Sequence, residues 1–274
     1  MSVPASRANP LSLHHLTALD VSPAELVSLA ATLGCDHVCL FTQVQPETRA
    51  LFPAVEDEAM LRAVIDRCAA TGVTVCDLEY FPVTADVDIS AYRGALERGA
   101  RMGAQRATAH IHDPERDRAI ATFAALCDLA AEHGLGVGLE FTHFSKVNSL
   151  VEALDFVGQA GRNNGDVVLD ALHFFRGGAD PASLAGMNLS RVGYIQICDG
   201  PAEITEAERM HEAGAERGVP GEGDFDLRAF AAALPRGPAI AVEVPQASRM
   251  RAGVPPLERA RTAVEASRAI LNKF

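Results

Sequence analysis

Short apolar runs alternate with longer amphipathic segments along almost the whole chain. Runs with the length and composition of buried strands lie at 11–16 (LSLHHL), 37–42 (HVCLFT), 73–81 (VTVCDLEYF) and 106–112 (RATAHIH). Four more follow at 136–143 (GVGLEFTH), 166–172 (DVVLDAL), 191–199 (RVGYIQICD) and 238–245 (PAIAVEVP). The segments between them have helical spacing and readable ends. In 22–34, Ser22 is placed to cap, Pro23 to take the first helical position, Glu25 to complete a capping box and Gly34 to stop the helix. In 113–134, Asp113 is expected to cap, with Pro114 just inside the start and Gly134 past the last turn.

About eight β–α units predict one α/β domain spanning 1–274, closed as a (β/α)8 barrel. An open doubly wound sheet is the competing fold. It calls for a G-x-G-x-x-G turn after an early strand, and the chain has none. No linker, repeat or low-complexity tract divides the sequence. The longest irregular stretch, 200–225, follows the seventh strand, at the end of a barrel where loops build active sites.

The strand ends carry the chemistry. Strand five ends near Glu140, strand six near Asp170, strand seven near Gln196 and strand eight near Glu243. Alternation puts Gly138 on the face of Glu140 and Ala241 on the face of Glu243, while Val242 and Val244 take the other face. One such acid is readily a surface group, or an acid paired with an arginine. Successive strands ending in three carboxylates and an amide suggest convergence, and converging carboxylates repel unless a cation sits among them. An oxygen-only donor set suits Mn2+ first, with Mg2+, Co2+ and Zn2+ as alternatives.

Composition narrows the partners. A net charge of −12 disfavours nucleic acid. The six cysteines form no C-x-x-C pair and read as reduced core thiols. The start, MSVPASRANP, has no apolar leader core, and no run reaches the roughly 20 apolar residues of a membrane span. A cytoplasmic protein with neither a membrane nor a nucleic-acid partner is expected.

Two further motifs make the pattern specific: Asp170-x-x-His173, and Arg217-x-x-Pro220-Gly221-x-Gly223. With the four strand ends, they make the chain similar to the xylose isomerase-like TIM barrels, the sugar phosphate isomerase/epimerase group, over essentially its whole length. The resemblance implies one divalent metal held by Glu140, Asp170, Gln196 and Glu243. It also implies proton transfer by Glu140 and Glu243 beside a carbonyl, on a small polyhydroxy carbonyl substrate. Ketose epimerases of this group usually carry His where this chain has Gln196. A glutamine there, with the QICD strand end, resembles bacterial 3-dehydroshikimate dehydratases. Isomerisation, epimerisation and dehydration therefore all stay open. In dehydration, His173 would donate a proton to the departing hydroxyl.

Arg217, His14 and His110 are the expected substrate contacts. His15 and His112 are weaker candidates, as are His143 and Lys146. Asp199 would orient a ligand or cap the next turn. Glu79 sits near the end of strand three and is left outside the expected set. The resemblance also implies a homodimer. The competing readings are a multi-metal repair endonuclease of the same barrel type, opposed by charge, and a non-catalytic ligand-binding barrel, opposed by the complete ligand set.

Overall fold

Parallel pairing runs unbroken through nine strands in a computed structural model that describes residues 9–44 and 51–271. The first eight residues, which carry most of the leader-peptide reading, lie outside those described. The strands are β1 (Leu11–His14), β2 (His37–Phe41), β3 (Thr74–Glu79), β4 (Phe81–Val83), β5 (Arg106–Ile111), β6 (Gly136–Glu140), β7 (Gly165–Asp170), β8 (Val192–Ile197) and β9 (Ala239–Val242). Their order is β3-β2-β1-β9-β8-β7-β6-β5-β4. The first and last strands pair directly, Leu13 opposite Val242.

The ninth strand comes from the third apolar run, which breaks at Tyr80. The Tyr80 N–H turns aside to the Gln43 carbonyl at 3.2 Å. Before the break, β3 pairs with β2; after it, β4 pairs with β5. Pro82 sits in β4 and has no N–H to give. One run thus serves both neighbours and closes the ring: the Thr108 hydroxyl of β5 donates to Asp77 of β3 at 2.9 Å. The structure is a TIM barrel of the kind the sequence predicts.

The covering helices are α1 (Pro23–Thr32), α2 (Glu58–Thr71), α3 (Arg93–Arg101), α4 (Arg116–Ala131), α5 (Leu150–Ala160), α6 (Ala171–Arg176), α7 (Arg209–Ala215), α8 (Leu227–Ala233), α9 (Ala247–Arg251) and α10 (Pro256–Leu271). Ser22 and Glu25 form the capping box of α1, and Gly34 follows its end at φ 66°. For α4 the cap differs from expectation. Glu115 accepts from the N–H groups of Asp117 and Arg118. Asp113 instead accepts from Glu115 N–H at 2.9 Å and holds the Arg118 guanidinium. The chain between strand and helix is two residues longer than assumed, so the first free N–H groups meet Glu115. The segment 200–225 is also less irregular than expected, because α7 forms inside it.

Two layers fill the barrel above each other. The lower contains Ser12, Cys39, Cys76, Asp77, Thr108, Val168, Tyr194 and Ala241, joined by packing and by contacts such as Cys76 Sγ to Ser12 Oγ at 3.3 Å. Gly138 belongs here, since a Cβ on it would stand 2.6 Å from Val168 Cγ2. Side chains repeat every second residue along a strand. Two positions further on come His14, Phe41, Glu79, His110, Glu140, Asp170, Gln196 and Glu243, every one buried or nearly so. The apolar bulk lies outside this ring, between sheet and helices.

Candidate metal centre and active site

The upper layer opens into a cavity of about 300 Å³ at the C-terminal mouth of the barrel. His14, Glu79, His110, Glu140 and Glu243 reach it from strand ends, His173 from α6 and Arg217 from the loop after α7. His112 lines it too. His15 does not, because the chain leaves the strand after His14 and enters a 3-10 turn over 15–18, where the His15 ring bonds the Val21 carbonyl at 3.0 Å.

The carboxylates are held by basic neighbours. Glu140 Oε2 lies 2.7 Å from His110 Nε2, and its Oε1 lies 3.6 Å from His173 Nε2. An oxygen of its carboxyl lies within 4.8 Å of one on Asp170. Arg217 bridges two others, Nη1 to Asp170 Oδ2 and Nη2 to Glu243 Oε1, both at 2.8 Å. The arginine-paired acid weighed above for a single position is therefore realised at these two. Asp170 also caps α6, its Oδ1 accepting from Leu172 N–H at 2.5 Å.

Glu79, left outside the expected set, is part of the site. Its Oε1 lies 3.3 Å from His14 Nε2. Its place at the end of the third apolar run was the available signal, since alternation from Val73 and Val75, which pack in the outer core, would turn it away from the lumen. His143 does not enter the cavity but backs it, its Nδ1 3.2 Å from His173 Nδ1. Lys146 is exposed. Asp199 caps the turn that follows its strand, accepting from Gly200 N–H at 2.8 Å. It organises the Arg217-x-x-Pro-Gly-x-Gly loop, accepting from Gly221 N–H at 2.7 Å and Phe225 N–H at 3.1 Å. Gly223 is required there, because a Cβ would fall 2.3 Å from Asp199 Oδ1.

Burial governs the titration of this cluster. Glu140 is pushed well above the usual carboxylate range, by burial first and then by the Asp170 charge. Burial raises Glu79 to about 8, with Glu140 adding to it. Burial raises Glu243 to about 8 in spite of Arg217. On Asp170 burial works the same way, but Arg217 and its hydrogen bond win and the pKa falls. Burial lowers His173 to about 3 against the pull of Asp170. A cluster of acids this reluctant to ionise has the electrostatics of a cation site.

The donor set fits a divalent cation. Both amide atoms of Gln196 are buried with no hydrogen-bond partner among the described residues, and so is Glu243 Oε2. Such orphans are costly unless something binds them. Potential ligating atoms of Glu140, Asp170 and His173 lie within 4.8 Å of one another, as do those of Glu79, His110 and Glu140.

Comparison with known proteins agrees with the fold. A 3-dehydroshikimate dehydratase of Pseudomonas aeruginosa is 30% identical over 108 residues, 39% of this chain and 17% of that one. An inosose isomerase of Bacillus velezensis is 28% identical over 160 residues, 54% of this chain and 53% of that one. The matches thus span about a sixth and about half of those relatives. The solved IolI protein, with a bound zinc atom, superposes with a TM-score of 0.79 at 20% identity, covering 97% of this chain and 99% of that one. The family model described as xylose isomerase-like TIM barrel matches residues 27–270, and the chain belongs to that family.

Proposed function

We propose that the protein is a divalent-metal-dependent enzyme that moves a proton beside the carbonyl of a small polyhydroxy ketone, as an isomerase or epimerase. The observation that carries this reading is the Gln196 amide, buried and unpartnered in the ring made with Glu140, Asp170 and Glu243. Those four residues would hold the cation, with Mn2+ the first choice for an oxygen-only set. When bound, the cation supplies charge stabilisation at the substrate's carbonyl oxygen.

The chain's own groups do the rest. Glu140 and Glu243 face the cavity from β6 and from the residue after β9. One removes the proton from the carbon next to the carbonyl, and the other returns a proton to the opposite face of that carbon or, for isomerisation, to the former carbonyl carbon while the adjacent hydroxyl's proton passes to the former carbonyl oxygen. His110 orients the Glu140 carboxylate, and His14 stands 4.0 Å from Glu243 Oε2. The reaction is redox-neutral and needs no co-substrate.

Dehydration is the second reading, favoured by the dehydratase relative and by glutamine at position 196. It would need His173 to deliver a proton to the leaving hydroxyl. Two carboxylates facing one cavity, Glu140 and Glu243, put isomerisation or epimerisation first.

Elemental analysis before and after chelation is the test, on wild type, Asp170→Asn and Gln196→Leu. About one divalent ion per chain is expected in wild type, with at least tenfold weaker uptake in both variants. Metal-free Gln196→Leu should be no less stable than metal-free wild type, since it removes a buried unsatisfied amide. A wild type that takes up no metal on titration overturns the reading.

A further inference from the structure

We infer that the substrate is uncharged, a cyclitol- or sugar-type ketone carrying neither a carboxylate nor a phosphate. This rests on the reading of the cavity as the active site.

Among the described lining residues, an anion entering this cavity finds no cation that is free to bind it. Among the described lining residues, Arg217 is the one lysine or arginine. Its nitrogens are committed: Nε to the Ala213 carbonyl at 3.0 Å, Nη1 to Asp170 and Nη2 to Glu243. Its side chain is 3% exposed, so it has no room to turn to a second acid without abandoning a first. Against its one positive charge stand Glu79, Glu140 and Glu243 in the lining, and Asp170 behind them. A bound divalent ion favours the ionised forms of these acids, and with all four ionised the set carries a formal sum of −1, which leaves no surplus for a substrate anion. Placing one there would desolvate a charge with no partner.

The polar groups that remain suit hydroxyls. His110, His112 and Tyr80 line the cavity, and each offers a donor or an acceptor without a fixed charge; His14 lines it too, with its ring nitrogens on Leu16 N–H and Glu79. The rim is apolar, with Leu16, Phe41, Phe52, Phe144 and Met210. Phe144 and Met210 are 36% and 63% exposed, so they meet whatever enters. A polyol ring presents C–H faces that such side chains cover. Lys146 follows in the loop beside the cavity, its N–H on the Ile111 carbonyl at 2.7 Å, but it is exposed and outside the lining.

The experiment compares an inosose with 3-dehydroshikimate on the manganese-loaded protein. Two readouts are followed: calorimetric binding, and deuterium uptake from D2O at the carbon beside the carbonyl. The neutral ketone should bind and exchange with kcat/KM at least 100-fold above the acid, and Lys146→Met should leave it unchanged. Preference for the acid, or acid turnover that falls more than tenfold in Lys146→Met, overturns the charge inference while leaving the metal chemistry standing. If the metal binds but neither compound binds or exchanges, the isomerase reading fails and this inference falls with it.

Discussion

Arg217 Nη1 and Asp170 Oδ2 stand 2.8 Å apart with side chains 3% and 0% exposed, and the same guanidinium reaches Glu243. A single arginine therefore neutralises acids from two strands that are separated by β8 in the ring. Its removal leaves both acids buried without a counter-charge. Arg217→Met should cost about 3–5 kcal/mol in metal-free protein at neutral pH. Urea unfolding with and without saturating Mn2+ checks it. The loss should shrink when metal is bound, because the ion replaces the missing positive charge.

Much of this site is written in alternation. Glu140 and Glu243 can be placed on the inner face because Gly138 and Ala241 precede them by two. Glu79 escaped because its run, VTVCDLEYF, reads as one continuous strand. Only the third dimension shows the backbone turning at Tyr80, with a register shift between Val38 and Cys39 opposite the inward Asp77. The Arg217 pairing was illegible for another reason: 47 residues separate it from Asp170, and motif spacing says nothing about which acid an arginine meets. The α4 cap failed locally, since Asp113 and Glu115 are both good acceptors and loop length decides between them.

Raised acid pKa values set the sign of the pH dependence. Glu79 and Glu243 each lie near 8 in the folded chain against 4.5 unfolded. The folded state then holds more protons than the unfolded state, so stability falls as pH rises from about 4.5 to about 8. Metal-free Glu79→Gln should show a shallower decline than wild type over that window, by ~1 kcal/mol or more at its upper end. Thermal melts at steps of half a pH unit measure it. Parallel curves for the two proteins would refute the assignment.

Gly138 provides a packing test. Its missing side chain makes room for Val168 Cγ2, and Val168 precedes Asp170 by two on β7. Gly138→Ala should destabilise by about 1–3 kcal/mol through overpacking. It should also weaken metal uptake, since the displaced valine carries the strand that presents Asp170. Denaturant melts and metal titration on the same preparation separate the two effects.

The loop that delivers Arg217 has its own anchor. Arg176 of α6 grips Glu212 of α7 with Nη2 to Oε1 at 2.5 Å and Nε to Oε2 at 2.8 Å, and lies over the Phe225 ring. Arg176→Leu leaves Glu212 buried and unpaired. Hydrogen exchange should rise across residues 200–225 while β6 to β9 stay protected, and KM should rise more than kcat falls.

The pairing of β1 with β9 has a consequence for how the protein is made. Leu11 meets Ile240 only after nearly the whole chain has left the ribosome, at about 5–20 residues per second. Until then the first strand waits with one open edge, and the ring that gathers Glu140, Asp170, Gln196 and Glu243 cannot be sealed. Long-range parallel closure of this kind is intrinsically slow. The last strand therefore completes the barrel and the ring of Glu140, Asp170, Gln196 and Glu243 together.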